Sequence, residues 1–224
     1  MEHIYEAPIL TVDAVIFQLI DHQLNVMLIK RSRNPFKGGL ALPGGYNPKG
    51  ETTIAALERI LRTKSGLDIK KLPFIEQLYT FDTVARDPRG HAVSVVYMGL
   101  CRNIKVNTAK ASEQPRFVPL AKLPELAFDH QTIIEYAQER LASKVTYTNA
   151  IFGLLPKEVT LTQLQQAYEA VLGRGLDKRN FRKRILALDL LRPTTKYSTD
   201  GAHRPALIYA FRKQSLETSL KLID

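Results

Sequence analysis

A glycine-rich loop followed by a helix occupies residues 44–67, with the sequence GGYNPKGETTIAALERILRTKSGL. Gly44 and Gly45 let a ligand approach the backbone closely, because glycine has no side chain to obstruct it. Apolar residues recur at i, i+3 and i+7 from Ile54, which predicts a helix over residues 52–64. A glycine loop that leads into a helix is a common phosphate-binding arrangement, so this segment is the first candidate for a site.

The same segment resembles the Nudix box, G-x5-E-x7-R-E-U-x-E-E-x-G-U, over 23 residues without a gap. The matching positions hold Gly45, Glu51, Arg59 and Gly66, and Leu61 stands at the aliphatic position. The resemblance extends over roughly residues 8–144 and implies a Nudix-like α/β/α sandwich. It also implies a structural role for the matching residues, which lock the loop onto the helix. These structural remnants of the box are Glu51, Arg59 and Gly66.

The three glutamates that follow the arginine in active Nudix enzymes are missing. Their positions hold Ile60, Thr63 and Lys64, which share one helix face at the spacing i, i+3 and i+4. In the enzymes this face holds magnesium, which requires carboxylate oxygens. Because two of these residues are uncharged and the third is a cation, we expect no metal, no cofactor and no catalytic residue. A further hypothesis is that Lys64 itself binds ligand phosphate.

Strands and helices alternate along the first two thirds of the chain. Strands are predicted at residues 11–19, 24–30, 76–84, 92–101 and 117–120, and a second helix at 132–143. This order predicts an α+β or mixed α/β fold, of which we favour α+β. The pattern changes near residue 144, so we place a ligand-sensing domain at 1–144 and a DNA-binding domain at 145–224.

The overall composition bounds the class of protein. The 224 residues carry a net charge of +10, which favours polyanionic partners. No apolar run is long enough to span a bilayer, no secretory signal is evident, and Cys101 is the only cysteine. We therefore expect a cytoplasmic protein without disulfides that has no membrane partner.

The basic excess is concentrated in the last third of the chain. Two helices are predicted at residues 161–172 and 177–191, joined by a glycine turn and followed by a hairpin around Asp200. This order is typical of a helix-turn-helix with a wing. An α-helix fits the DNA major groove, where Arg reads guanine and Asn reads adenine. The predicted DNA-binding residues are Lys178, Arg179, Asn180, Arg182, Lys183, Lys196, His203 and Arg204.

The combination of an eroded Nudix box and a winged helix resembles the Nudix-related transcriptional regulators of NAD metabolism. Further segments carry this resemblance: LTVDAVIF, LPGGY, RDPRGHAVSV, LPELAFDH and LDKRNFRKRI. It implies a repressor that binds double-stranded operator DNA as a homodimer. It also implies a Nudix domain that senses ADP-ribose or a related NAD-derived metabolite and releases DNA when the ligand binds.

A diphosphate ligand requires cations and backbone N–H donors. Arg31 and Arg33 stand at the end of a strand that faces the glycine loop, and Arg86 and Arg89 stand near the mouth of the second hairpin. An aromatic ring from Tyr79 or Phe81 would stack on adenine. The predicted ligand-binding residues are Arg31, Arg33, Gly44, Gly45, Lys64, Arg86 and Arg89.

Two other functions compete with this interpretation. Relatives of the same architecture respond to sugars or sugar phosphates, so the effector could belong to that class. Alternatively, the chain could be a Nudix hydrolase that recruits carboxylates from outside the box, such as Glu76, Asp82 or Asp87. An RNA-binding or protein-interaction module is disfavoured by the predicted helix-turn-helix and wing.

Overall fold

The computed structural model describes residues 7–104, 111–198 and 205–218. A seven-stranded mixed sheet dominates the first two thirds of the chain. Its strands are β1 (Ile9–Ile20), β2 (Gln23–Lys30), β3 (Leu40–Ala41), β4 (Gly44–Tyr46), β5 (Phe74–Phe81), β6 (Ala92–Cys101) and β7 (Gln114–Pro119). The main path runs β3-β2-β1-β6-β5, while β4 pairs with β1 and β7 pairs with β2.

Strand β1 lies at the centre because it is buried on both faces, and its side chains alternate between two cores. Val12 and Ile16 pack on the side of the box helix, whereas Val15 and Phe17 pack on the opposite side. β1 pairs in parallel with β6 and antiparallel with both β2 and β4. The glycine loop therefore extends directly from the middle of the sheet.

Helices cover both faces of this sheet, which confirms the α/β/α sandwich. The box helix α1 (Thr53–Ile60) is shorter than predicted, because it continues as a single π-helical turn over Leu61–Ser65. Gly66 ends that turn in a left-handed conformation, with φ of 68°. The second helix, α2 (His130–Tyr147), covers the other face and crosses the predicted domain boundary at residue 144.

The last third of the chain forms a winged helix. It comprises β8 (Glu158–Thr160), α3 (Leu161–Leu172), α4 (Lys178–Ala187), β9 (Leu191–Ser198) and β10 (Ala206–Phe211), with the strands in the order β8-β10-β9. The predicted hairpin is confirmed, since β9 and β10 pair antiparallel. The predicted helix end at residue 191 is wrong: α4 stops at Ala187, and Asp189 adopts a left-handed φ of 53° before β9 begins.

Capping residues fix both helices of the winged helix. Thr160 and Gln163 form a reciprocal capping box at the start of α3, and Gly173 ends that helix with φ of 67°. Asp177 accepts a hydrogen bond from the backbone of Asn180, which caps α4. In the described part of the chain, no helix has the length and apolarity needed to cross a membrane.

Candidate functional site

A polar cleft of about 940 Å³ opens where β1, the glycine loop and the box helix meet. Its volume lies in the range of sites that bind small ligands. All seven predicted ligand-binding residues line it, together with side chains that the sequence did not single out. The lining includes Asp13, Arg31, Ser32, Arg33, Gly44, Gly45, Tyr46, Arg59, Ile60, Thr63, Lys64, Arg86, Asp87, Arg89, Ser112, Glu113, Phe128 and His130.

The glycine loop is held on the box helix by an ion pair between Glu51 and Arg59. The Arg59 guanidinium donates to both Glu51 oxygens, at 2.7–3.2 Å, and to the backbone oxygen of Tyr46 at 2.8 Å. The hydrogen bond from Arg59 lowers the pKa of Glu51. Gly44 approaches β1 so closely that any side chain there would overlap the Asp13 carboxylate. The loop shape therefore depends on glycine and on this one ion pair.

The side chains at the positions of the missing glutamates do face the cleft, but they do not fit a magnesium ion. Ile60 is almost fully buried, and the Thr63 hydroxyl donates to the backbone oxygen of Arg59 at 2.8 Å. The Lys64 ammonium lies 3.5 Å from the Glu113 carboxylate. Among the described residues, no cluster of three or more His, Cys, Asp or Glu side chains is placed to hold a metal ion.

A buried arginine forms the back wall of the cleft. Arg86 donates to both oxygens of Asp129, at 2.8 and 2.9 Å, and its guanidinium lies 3.7 Å from Asp13. The side chain is only 4% exposed. Two of its donor nitrogens are thus already bound to a carboxylate, so Arg86 contributes charge to the cleft and shapes its wall.

His130 ties the first turn of α2 to the loop before β4. Its Nδ1 accepts from the backbone N–H of Leu42 at 2.9 Å, and its Nε2 lies 3.7 Å from the Asp13 carboxylate. Asp13 also accepts a 2.5 Å hydrogen bond from the Ser94 hydroxyl. Burial lowers the pKa of His130, which favours the neutral ring that this acceptor role requires.

Two arginines and two aromatic rings form the mouth of the cleft. The Arg31 guanidinium stacks over Phe128 at 4.6 Å, and Arg89 lies 5.7 Å from the same ring. Arg89 also donates to the Tyr46 hydroxyl at 2.6 Å and pairs with Asp87 at 2.5 Å. The bond to Asp87 raises the pKa of Arg89, whereas burial lowers the pKa of Arg31. Exposed rims of both guanidinium groups and two aromatic faces therefore surround the entrance.

The remaining predicted cleft residues differ in how available they are. Arg33 is exposed, and its backbone oxygen accepts from Arg31 at 3.3 Å. Gly45 places its backbone beside Ile60. Tyr79 and Phe81 do not line the cleft; they form an aromatic cluster with Tyr136 on the sheet edge.

Sequence reasoning missed several cleft residues. Asp13 carried a visible sign, because it is an acid inside an otherwise apolar strand. Phe128 and His130 belong to the segment LPELAFDH, but nothing local in the sequence shows that the start of α2 faces the glycine loop. Glu113 stands in a loop 49 positions after Lys64 in the numbering, and only folding brings the two together. Of the three carboxylates considered outside the box, only Asp87 lines the cleft.

Helix α4 presents a basic outer face. Lys178, Arg179, Asn180 and Lys183 are exposed, while Phe181 is buried in the domain core. Because the apolar face of α4 packs inward, its basic face is free to enter a DNA groove.

The other predicted DNA contacts are less free. Arg182 is half buried and donates to Thr162 of α3 at 3.4 Å. Lys196 lies on β9, where it pairs with Glu158 at 2.9 Å. His203 and Arg204 fall outside the described residues.

Helix α2 connects the two regions. Its N-terminus carries Asp129 and His130 at the cleft, and its last turn is anchored by a 2.8 Å ion pair between Lys144 and Glu76. Asn149, just beyond the helix, exchanges hydrogen bonds with residues 215 and 217 at the end of the winged helix. Helix α2 and Asn149 therefore form a continuous connection between the cleft and the winged helix.

Comparisons with known proteins agree with this division. The NUDIX domain model matches residues 9–137, and the NrtR DNA-binding winged helix domain model matches residues 151–211. The chain is 36% identical to the ADPR responsive transcriptional repressor NtrR of Acinetobacter baylyi, over 95% of this chain and 86% of the relative.

Two solved structures give the corresponding folds. Shewanella oneidensis NrtR complexed with a 27mer DNA superposes with a TM-score of 0.78 at 36% identity, covering 91% of this chain and 93% of that one. The NUDIX domain of the same protein complexed with ADP ribose gives a TM-score of 0.55 at 40% identity, covering 61% of this chain and 90% of that one.

Proposed function

We propose that this chain, which belongs to the NrtR family of Nudix-related transcriptional repressors, represses transcription in response to ADP-ribose. Its winged helix binds double-stranded operator DNA, and its Nudix-like domain binds ADP-ribose or a closely related NAD-derived nucleotide. One observation carries the proposal: helix α2 begins at a 940 Å³ cleft lined by arginines and leads at its other end into the winged helix, which exposes the basic helix α4. The relatives support both ligands: one is named as an ADPR responsive transcriptional repressor, and Shewanella oneidensis NrtR was solved with DNA and, as its NUDIX domain, with ADP ribose.

The cleft is suited to a nucleoside diphosphate. Arg31, Arg89 and Lys64 supply positive charge for the phosphates, and the backbone of Gly45 lies open beside the box helix. Phe128 offers a ring face that is already flanked by guanidinium groups. Charge-assisted hydrogen bonds from arginine to phosphate are strong and directional, so this arrangement favours a diphosphate over a neutral sugar.

The proposal includes binding without hydrolysis, with no metal and no cofactor in the cleft. Ile60 and Thr63 offer no carboxylate, and the Lys64 ammonium would repel a divalent cation. A sensor must hold its ligand without consuming it, and this requirement explains the loss of the box carboxylates.

Ligand and DNA must bias two states in opposite directions for release to occur. Ligand phosphates near Arg86 would compete with Asp129, which precedes α2. We propose that this competition shifts the start of α2 and reorients the winged helix through Asn149. The protein would act as a homodimer, because two recognition helices spaced by one helical turn of DNA read two half-sites. We place this homodimer in the cytoplasm.

The test is a gel shift of double-stranded DNA from the upstream region of the protein's own gene. We expect salt-sensitive specific binding that ADP-ribose reverses, whereas L-arabinose and ribose 5-phosphate leave the complex intact. Absence of any specific site would overturn the proposal, and release by a sugar alone would favour the sugar-responsive alternative.

A second assay addresses hydrolysis. ADP-ribose is incubated with the protein and Mg²⁺ or Mn²⁺, and AMP release is followed by chromatography. We expect no turnover, and a rate near that of ordinary enzymes, about 1 per second or more, would show an active hydrolase. In that event the cleft carboxylates Asp13, Asp87 and Glu113 would be the first candidates for catalysis.

A further inference from the structure

We infer that Lys64 and Glu113 act together as a specificity element that reads the junction between a diphosphate and a hydroxyl-bearing group beyond it. Lys64 contacts a phosphate oxygen, and the free oxygen of Glu113 accepts a hydrogen bond from the sugar hydroxyl on the far side. This inference rests on the proposed function, since it assigns roles within the same cleft.

The pair is loosely engaged compared with the other ion pairs of the cleft. The Lys64 Nζ lies 3.5 Å from Glu113 Oε1, whereas Arg59 lies 2.7 Å from Glu51 and Arg86 lies 2.8 Å from Asp129. The Lys64 side chain is 26% exposed, so its ammonium has donors that can turn toward a ligand. Lys64 is therefore a partly exposed cation at the position where active Nudix enzymes hold a metal.

Glu113 is held more firmly and is incompletely satisfied. Its side chain is 8% exposed, and Oε1 accepts from the Ser32 hydroxyl at 3.3 Å. Oε2 is buried and has no hydrogen-bond partner among the described residues. An unsatisfied buried carboxylate oxygen is costly, so the site favours a ligand that brings a donor to this oxygen.

Charge decides which kind of donor fits. Glu113 repels phosphate oxygens, although the neighbouring Lys64 and Arg31 attract them. The negative charge of Glu113 is felt at Arg31, where it partly opposes the lowering of the arginine pKa by burial. A neutral group with hydroxyl donors satisfies Glu113, while the phosphates lie beside the two cations.

The backbone keeps the pair in register. The N–H of Ser112 donates to the backbone oxygen of Thr63 at 2.8 Å, which joins the loop before β7 to the π-helical turn after the box helix. Glu113 and Lys64 follow directly on these two residues. The loop and the turn therefore present the carboxylate and the ammonium to the cleft as one unit.

The test compares ADP-ribose with ADP, which lacks the terminal ribose, by calorimetry of the full chain in EDTA. For the native protein we expect ADP-ribose to bind about tenfold more tightly than ADP, the value of one good charged hydrogen bond. Glu113→Ala should remove that preference, by weakening ADP-ribose about tenfold and leaving ADP unchanged or tighter. Glu113→Gln keeps one acceptor oxygen, so its preference for ADP-ribose over ADP should lie between those of the native protein and Glu113→Ala.

Lys64→Ala should weaken both ligands by a similar factor, about tenfold, because both carry the diphosphate. Arg62→Ala and Glu125→Ala are the matched controls, since these exposed residues carry the same charges outside the cleft. Thermal melting establishes that each variant is folded.

Three outcomes decide the inference. Equal affinity of the native protein for ADP and ADP-ribose would overturn it, as would a Glu113→Ala variant that loses both ligands alike, which is the pattern of a purely structural role. Unchanged affinities in Lys64→Ala would also overturn it. If the native protein binds neither nucleotide, the proposed effector itself is wrong, and that result is distinct from the other three.

Discussion

Three arginines of the cleft and two cations of helix α4 are held in opposite ways. In the cleft, Arg59, Arg86 and Arg89 each bind a carboxylate of the chain at 2.5–2.8 Å. On α4, Arg179 and Lys183 are exposed and form no ion pair with any described residue. Paired cations have fixed positions, which suits recognition of one small ligand. Unpaired cations keep their charge available for phosphates along a duplex, and their binding is governed by salt.

This difference predicts that cations of α4 can be removed without loss of stability. Arg179→Ala combined with Lys183→Ala should weaken DNA binding about 30-fold or more, since each lost contact costs about 1–3 kcal/mol. The melting temperature should stay almost unchanged, because exposed substitutions of this kind usually alter stability by less than about 0.5 kcal/mol. Fluorescence anisotropy over a range of salt concentrations measures both the affinity and a shallower salt dependence.

Lys122→Ala is the control for this pair, because Lys122 is an exposed cation of the Nudix-like domain. If it weakened DNA binding as much as the double variant, overall charge and not the recognition helix would control affinity.

In contrast, removal of a buried polar group of the cleft should lower the stability of the protein. His130→Ala leaves the buried N–H of Leu42 without its acceptor, which should lower the free energy of unfolding by about 1–3 kcal/mol. Urea denaturation measures the change, with Glu139→Ala on the exposed side of α2 as the control. A His130→Ala protein as stable as the native chain would show that Leu42 finds another partner.

The pH dependence of stability sharpens the same comparison. Burial lowers the pKa of His130 below its ordinary value of 6.5, an effect that Arg86 and Arg31 reinforce and that Asp13 and Asp129 oppose. The unfolded chain therefore binds a proton before the folded chain does. Stability should be full above pH 6.5 and should decrease as the pH falls toward the lowered pKa, with a slope of at most about 1.4 kcal/mol per pH unit.

Comparison of native and His130→Ala proteins between pH 7.5 and 5 isolates this contribution. We expect the decrease in the free energy of unfolding with falling pH to be absent from the variant between pH 7.5 and 5. The pair of Glu51 and Arg59 does not interfere, because the lowered pKa of Glu51 makes its contribution full above the ordinary value of 4.5. A native protein with constant stability from pH 7.5 to 5 would contradict the assignment.

The smallest effect is expected at the wing. Lys196 is paired with Glu158, but both side chains are well exposed, and such pairs contribute little to stability. Lys196→Ala should change the free energy of unfolding by no more than about 0.5 kcal/mol, and it should reduce DNA affinity less than tenfold if Lys196 meets a phosphate. Fluorescence anisotropy with specific and with random DNA distinguishes a phosphate contact from a base contact, because loss of a phosphate contact weakens both complexes equally.

Much of the architecture was predictable from the sequence, for reasons visible in particular elements. The box spacing predicted the loop and the helix, and runs of β-branched and apolar residues predicted strands β1 and β2. Propensity failed where a tertiary or backbone effect intervened. The π-helical turn over Leu61–Ser65 shortened the box helix, and the left-handed Asp189 ended α4 four residues before the predicted limit. The strand β8 was missed because three residues carry too little periodicity.

The order of residues along the chain specifies which chemical groups this protein possesses and where they stand in its motifs. Ile60, Thr63 and Lys64 occupy the positions of the missing carboxylates whatever the fold, and the basic run of α4 is a local property of the chain. How these groups are used depends on contacts that form only when the chain folds. Folding committed Arg86 to Asp129, set His130 against Leu42 and brought Glu113 to Lys64. Local spacing encodes helix faces, but contacts between distant segments depend on how the sheet and its helices pack, and no short motif records that packing.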